Sequence, residues 1–333
     1  MQRINIKGDI KVRIIVTRGL IDKTLFLAVG IVFLFMVLGG LTITSISASG
    51  VNITNATIVS KVNVVNTEPT LYRVDITSAT PVELSAGSTV MVNCTGSVYD
   101  TNGWDDIKNV SASFYNVDNG DGNTSDNNFR YLNRTCGNCT QIASTNASCS
   151  CMFDIRYYAN NGSWRCNMTI WDSYRLNSTE NSSIIDVSTV LGLDVPLLLD
   201  YGNLSVTETS PSMALNITNW GNVAINISVR GFGGDDNSVP QSANMSMVCS
   251  NPLSINISSG FERYYLQNVS FVNMTNISNS SMPISNFTII ARTNDTSPHV
   301  GADRNFTFWR LQVPTGVTGT CNGTIIFSAT DAS

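Results

Sequence analysis

Ser210 to Gly234 reads SPSMALNITNWGNVAINISVRGFGG. Leu215 and Ile217 precede the Asn219-Trp220-Gly221-Asn222 turn, and Ile225, Ile227 and Val229 follow it. They alternate with polar residues at a period of two, which puts successive side chains on opposite faces of a sheet. The spacing predicts two half-buried strands joined as a hairpin. Similar runs appear at Leu71 to Ile76, Ser88 to Tyr99, Lys108 to Val117, Cys151 to Tyr158, Ser163 to Trp171 and Ser183 to Thr189. The closing WRLQVPTGVTGTCNGTIIFSA has the turn and alternation of a final hairpin. Past residue 43 no stretch has helical periodicity, so the predicted class is all-β.

One stretch breaks this pattern. Leu25 to Ile43, LFLAVGIVFLFMVLGGLTI, carries no charge and is long enough to cross a bilayer core of roughly 30 Å as a helix. The preceding residues hold Arg3, Lys7, Lys11, Arg13, Arg18 and Lys23 against Asp9 and Asp22, a bias that keeps the N-terminus cytoplasmic and exports the rest. A cleaved secretory signal is an alternative, since Ser47 to Gly50 are small, although the apolar run exceeds the usual signal core. Arg18-Gly19-Leu20-Ile21 also has the form of a prepilin peptidase site, but Asp22 and Lys23 would interrupt the helix such a site releases. With no second apolar run near the C-terminus, the expected topology is single-pass, with the lipid membrane as first partner.

The exported part is acidic. It holds 13 basic and 22 acidic side chains, with Lys61 and Lys108 its two lysines, so it lacks the electrostatic footprint of a nucleic-acid binder. Asn-X-Ser/Thr occurs there about 25 times, where random placement would give roughly eight. Candidate acceptors include Asn52, Asn109, Asn167, Asn216, Asn226, Asn305 and Asn322. Several triplets have an apolar centre, as at Asn216, Asn226, Asn286 and Asn305, and so also read outward, inward, outward along a strand. Asn is nonetheless disfavoured in strands, which points to selection for N-linked glycans over a merely polar face.

Eight cysteines agree with export. Cys94 and Cys166 sit in MVNCTGSVYD and GSWRCNMTIWD at a separation suited to a bond across a sandwich, and Cys249 with Cys321 can make the equivalent staple further on. Cys136, Cys139, Cys149 and Cys151 form CGNCTQIASTNASCSC, whose spacing also suits zinc. Outside the membrane two local disulfides are the expectation.

The organisation that follows is a basic tail over 1–24, the span over 25–43, a stalk or lone strand over 44–67, a first sandwich over 68–190 with a Cys-rich insertion at 118–151, and a second over 191–333. Within the stalk, Ala56 to Val65 can complete a sheet of its own domain or of a neighbouring subunit. The connector VLGLDVPLLLDYG carries the apolar run Pro196 to Leu199, which is expected to pack at the junction of the two domains.

TPVELSAGSTVMVNCTGSVYDTNGWDDIKNVSASFYN, with its Asp100-Thr-Asn-Gly103 turn, Asp106-Ile107 and the Asn161 to Cys166 run, resembles the Ig-like and PKD-like modules of archaeal-type cell-surface proteins. The Asn219-Trp-Gly-Asn222 segment resembles the N-x-G-N hairpin of CARDB-like sandwiches. These resemblances imply two Ig-like β-sandwiches in tandem, used as extracellular spacers, adhesins or lattice units.

Chemistry is thinly represented. In DNGDGNTSDNN, Asp118, Asp121, Asn123 and Asp126 offer oxygens suited to calcium, without the twelve-residue register of an EF-hand; a solvated Asx-rich loop is the alternative. His299 is the single histidine and lies in a loop. Asp105 with Asp106 and Asp235 with Asp236 are adjacent, and neighbours on a strand point to opposite faces. An enzyme is therefore not expected. The sequence points to a membrane-anchored surface glycoprotein with a structural or adhesive role, self-associating or binding another surface protein. The alternatives are a receptor that recognises glycan, peptide or partner cell through 118–151, and a strand-donating filament subunit.

Overall fold

The computed structural model describes residues 58–137, 139–234, 244–296 and 298–332. The span over 25–43, the basic tail and Asn52 lie outside them. Two units are distinguished, one ending at Val65 and a larger one from Asn66 onward. The described part of the first, residues 58–65, has no regular secondary structure and is solvent-exposed.

The larger unit is all-β, built from antiparallel sheets that enclose two separate apolar cores. No α-helix occurs among the described residues; the only helical turns are three short 3-10 segments. The first core is enclosed by β1 (Thr70–Ile76), β2 (Thr89–Tyr99), β3 (Ile107–Asn116), β4 (Arg130–Asn133), β5 (Thr140–Gln141), β6 (Asn146–Arg156), β7 (Gly162–Asp172), β8 (Asn177–Asn181) and β9 (Ile185–Val187). One sheet runs β1-β2-β6-β5 and the other β4-β3-β7-β8, with β9 also on β7.

Strict alternation explains why these strands form. In β7, Trp164, Cys166, Met168 and Ile170 are fully buried, while Arg165, Asn167, Thr169 and Trp171 between them are partly exposed. Each large inward side chain contributes on the order of 2 kcal/mol relative to exposure. Phe114 stacks on Trp164 with ring centroids 5.0 Å apart. The sheets approach closely at Gly96, where a Cβ would stand 2.5 Å from the Met168 sulfur. The expected insertion ends earlier than 151, because Asn146 to Cys151 belong to β6, which pairs with β2 along its whole length.

The second core is enclosed by β10 (Leu193–Asp194), β11 (Met213–Asn219), β12 (Ile225–Gly233), β13 (Met245–Cys249), β14 (Ile257–Ser258), β15 (Glu262–Tyr265), β16 (Thr275–Asn276), β17 (Met282–Ile289), β18 (Arg304–Leu311) and β19 (Cys321–Asp331). Its sheets run β10-β11-β18-β15-β16 and β14-β13-β19-β12-β17. This order overturns both expected hairpins. β11 and β12 lie in different sheets, as do β18 and β19. The 219–222 turn is an arch between layers, so it is buried, whereas a hairpin turn would face water.

Candidate functional site

The arch at 219–222 is where the two sandwiches are joined. Asn222 Nδ2 donates to the Ala159 carbonyl at 2.8 Å and to that of Ser188 at 3.0 Å, and its Oδ1 accepts from the Val190 N–H at 2.7 Å. Asn219 Nδ2 donates to the Val223, Ile289 and Ile290 carbonyls, fixing the arch from within. Gly221 is required by close approach, since a Cβ there would lie 2.1 Å from the Val190 carbonyl oxygen. Trp220 stacks on Tyr157 at 5.7 Å and sits 3.9 Å from the Arg292 guanidinium carbon. Arg292 is itself buried, paired with Asp303 at 3.1 Å and donating to the Asn294 and Thr296 carbonyls. Nearby, Asp295 of the second sandwich meets Arg156 of the first at 3.3 Å. The apolar run does not pack here: Leu197 and Leu198 are fully or largely exposed.

Those leucines stand instead at the mouth of a groove of about 660 Å³ in the second sandwich, which also takes in Leu215, Val313, Ile325 and Phe327. At its inner end lies Glu262, completely buried, with Tyr201 Oη donating to its Oε1 at 2.9 Å. Burial pushes the Glu262 carboxyl up to about 7, opposed by hydrogen bonds from Tyr201 and Ser246. Burial, and then the neighbouring carboxylate, raise the Tyr201 phenol well above its ordinary range.

The disulfides are Cys94–Cys166, Cys136–Cys151, Cys139–Cys149 and Cys249–Cys321. Cys94–Cys166 joins β2 to β7 and so bridges the two sheets. Cys249–Cys321 is not its equivalent, because these residues are direct partners on neighbouring strands β13 and β19 of one sheet. The other two tie the loop before β5 to β6.

Around Asp118 to Asp126 the loop closes on arginines. Arg130 donates to the Gly120 and Thr124 carbonyls, and Arg134 to that of Asn123. Asp121 Oδ1 accepts from Ser113 Oγ and the Gly122 N–H, and Asp126 Oδ1 from the Asn128 N–H, so two of the four side chains singled out for calcium face separate donors. Among the described residues no three His, Cys, Asp or Glu side chains are grouped to hold a metal ion. His299 Nε2 lies 3.3 Å from Thr296 Oγ1, and Asp106 accepts from Ser173. Asp235 and Asp236 lie outside the described residues.

Glycosylation candidates occupy outward positions at Asn109 and Asn167 of the first sandwich and at Asn226 and Asn322 of the second, and Asn216 is partly exposed. Asn305 departs from its expected alternation. Thr307, not Phe306, points inward, and its hydroxyl accepts from Trp309 Nε1 at 2.8 Å in the core. Sequence reasoning missed Arg292 and Glu262, each of which lies in a run with no alternation to mark it as buried.

No protein-family profile matches this chain, and no curated protein does. Among solved structures, dimeric latent PorU from Porphyromonas gingivalis aligns with 50% of this chain and 14% of its own, at 15% identity and a TM-score of 0.23. The chain thus spans about a seventh of that protein. A complex described as a chaperone-tip adhesin complex, vital for synergistic activation of CFA/I fimbriae biogenesis, aligns with 78% of this chain and 84% of its own, at 13% identity and a TM-score of 0.30.

Proposed function

We propose that this chain is a membrane-anchored, N-glycosylated cell-surface protein with a structural or adhesive role in the envelope, of the archaeal type its modules resemble. The observation that carries the reading is the division of its asparagines. Three of the described asparagines are buried, Asn116, Asn219 and Asn222, and none of them heads an Asn-X-Ser/Thr triplet. Every described asparagine that does head one is exposed or partly exposed. A composition bias toward Asn, Ser and Thr would not sort itself this way, whereas glycan attachment requires it.

Four disulfides agree with an oxidising compartment. The first sandwich has the sheet order of an immunoglobulin constant domain with β4 and β9 added, and its Cys94–Cys166 bond takes the inter-sheet position, which supports the Ig-like reading. The locked arch at 219–222 suits a load-bearing spacer.

The lysines provide the test. Intact cells are treated with a membrane-impermeant amine reagent, and the modified lysines are identified by mass spectrometry. Lys61 and Lys108, both exposed, are expected to react, while Lys7, Lys11 and Lys23 stay unmodified until the membrane is permeabilised. Protection of Lys61 and Lys108 in intact cells would overturn the reading.

A further inference from the structure

A tryptophan stands between two asparagines on the outer face of the first sandwich. The register of β3, β7 and β8 sets Asn109 opposite Trp171 and Trp171 opposite Asn177, one row across three strands. Alternation turns this row outward. Val110 and Ile170, one residue away, are buried, whereas Asn109 and Asn177 are exposed and Trp171 is partly exposed. Both asparagines head triplets, Asn109-Val-Ser111 and Asn177-Ser-Thr179. The hydroxyl residues of these triplets form the next row, with Thr169 between them.

The row is fixed from both sides. Between β7 and β8 the buried Asp172 accepts on Oδ1 from the Tyr174 N–H at 2.9 Å and the Leu176 N–H at 2.8 Å, which sets the turn and with it the place of Asn177. In β3 the register shifts between Ile107 and Asn109, and that bulge brings Asn109 opposite Trp171.

An indole in this position presents a large apolar ring to water, and the Asn and Thr side chains beside it are too short to cover it fully. A pyranose is large enough. Its axial C–H groups carry slight positive charge and the indole face slight negative charge, so the two stack with close dispersion contact while the sugar hydroxyls stay in water. Reach is also satisfied. Directly opposed residues have Cβ atoms about 4.5–5.5 Å apart, and an N-linked sugar is bonded straight to the asparagine Nδ2, so its ring begins beside the indole.

We infer that the first sugars on Asn109 and Asn177 fold back onto Trp171 and pack against its indole, one from each neighbouring strand. This rests on the envelope reading for the presence of glycans, and deepens it by naming the residue on which they dock. Sugars held this way shield the ring and leave the sandwich in a set direction.

The test uses the full chain purified from its native membranes, with Asn109→Gln and Asn177→Gln combined to remove both glycans. Hydroxyl-radical oxidation at Trp171, read by mass spectrometry, is expected to quicken several-fold in that variant, while oxidation of the partly exposed Trp220 at the 219–222 arch stays unchanged. Bulk alone would also shield the ring, so stacking is read separately, by thermal unfolding. Removing the two glycans is expected to lower Tm by several degrees when Trp171 is present and to leave it unmoved in Trp171→Thr, a strand-compatible replacement. Trp171→Leu, apolar but without a π face, serves if the first misfolds. Equal oxidation rates, or a Tm loss as large without the indole as with it, would overturn the inference and leave the envelope reading intact. Asn109 and Asn177 found bare in a chain glycosylated elsewhere would do the same, whereas a chain bare at every triplet would overturn both.

Discussion

Asn222 Nδ2 of the second sandwich donates to the Ala159 carbonyl of the first at 2.8 Å, and both groups are buried. Through that side chain and the Val190 N–H it accepts, one residue closes the junction by three hydrogen bonds. Asn222→Ala would leave two carbonyls and one N–H of the junction unpaired. Its expected cost is roughly 2–4 kcal/mol, with single-step urea unfolding separating into two transitions. An unchanged single transition would show that the sandwiches are coupled by other contacts.

Arg292 and Asp303 form the most buried ion pair in the described residues, with side chains 1% and 9% exposed. Arg292→Met strands the carboxylate and is expected to destabilise by roughly 3–5 kcal/mol. Adding Asp303→Leu should recover part of that loss, because no unpaired charge then remains buried. A double-mutant cycle in urea measures the coupling, and additivity would contradict the arrangement.

Burial raises the Glu262 carboxyl to about 7, above its ordinary value near 4.5. The folded protein therefore holds a proton that the unfolded chain has released between those two pH values. Stability is highest below pH 4.5, falls as pH rises to about 7, and is level beyond; the full change is roughly 3 kcal/mol for this one group. Glu262→Gln cannot ionise and should remove that slope. Denaturation midpoints of both proteins from pH 4 to 8 measure the difference.

Cys94–Cys166 and Cys249–Cys321 each close a loop with a sequence separation of 72, against 15 and 10 for the local pair. Chain-entropy arguments give about 4 kcal/mol for the long loops and about 3 kcal/mol for the short ones. Replacing Cys94 and Cys166 together by Ala should cost the most, since both are also fully buried in the core. Thermal unfolding of the four paired variants ranks them.

How far the sequence could be read follows from where its information is local. MVNCTGSVY declares a strand because every second residue must avoid water, and β2 occupies 89–99 as expected. Asn219 to Asn222 declares a turn, but no short-range signal says whether the next strand returns to the same sheet or crosses to the other. The hairpin reading failed for that reason, and again between β18 and β19. Arg292 sits in ARTNDTSPHV, which reads as a solvated loop; what buries it is Trp220, 72 positions earlier, and Asp303.

Site-by-site glycan occupancy, measured by mass spectrometry on protein from its native membranes, tests the central claim most directly. Glycans are expected at exposed asparagines whose triplet hydroxyl residue is not buried, among them Asn109, Asn177, Asn226 and Asn286. Asn305, whose Thr307 hydroxyl is held in the core by Trp309, is expected to be bare. A chain that carries no glycan at any of these positions would contradict the account.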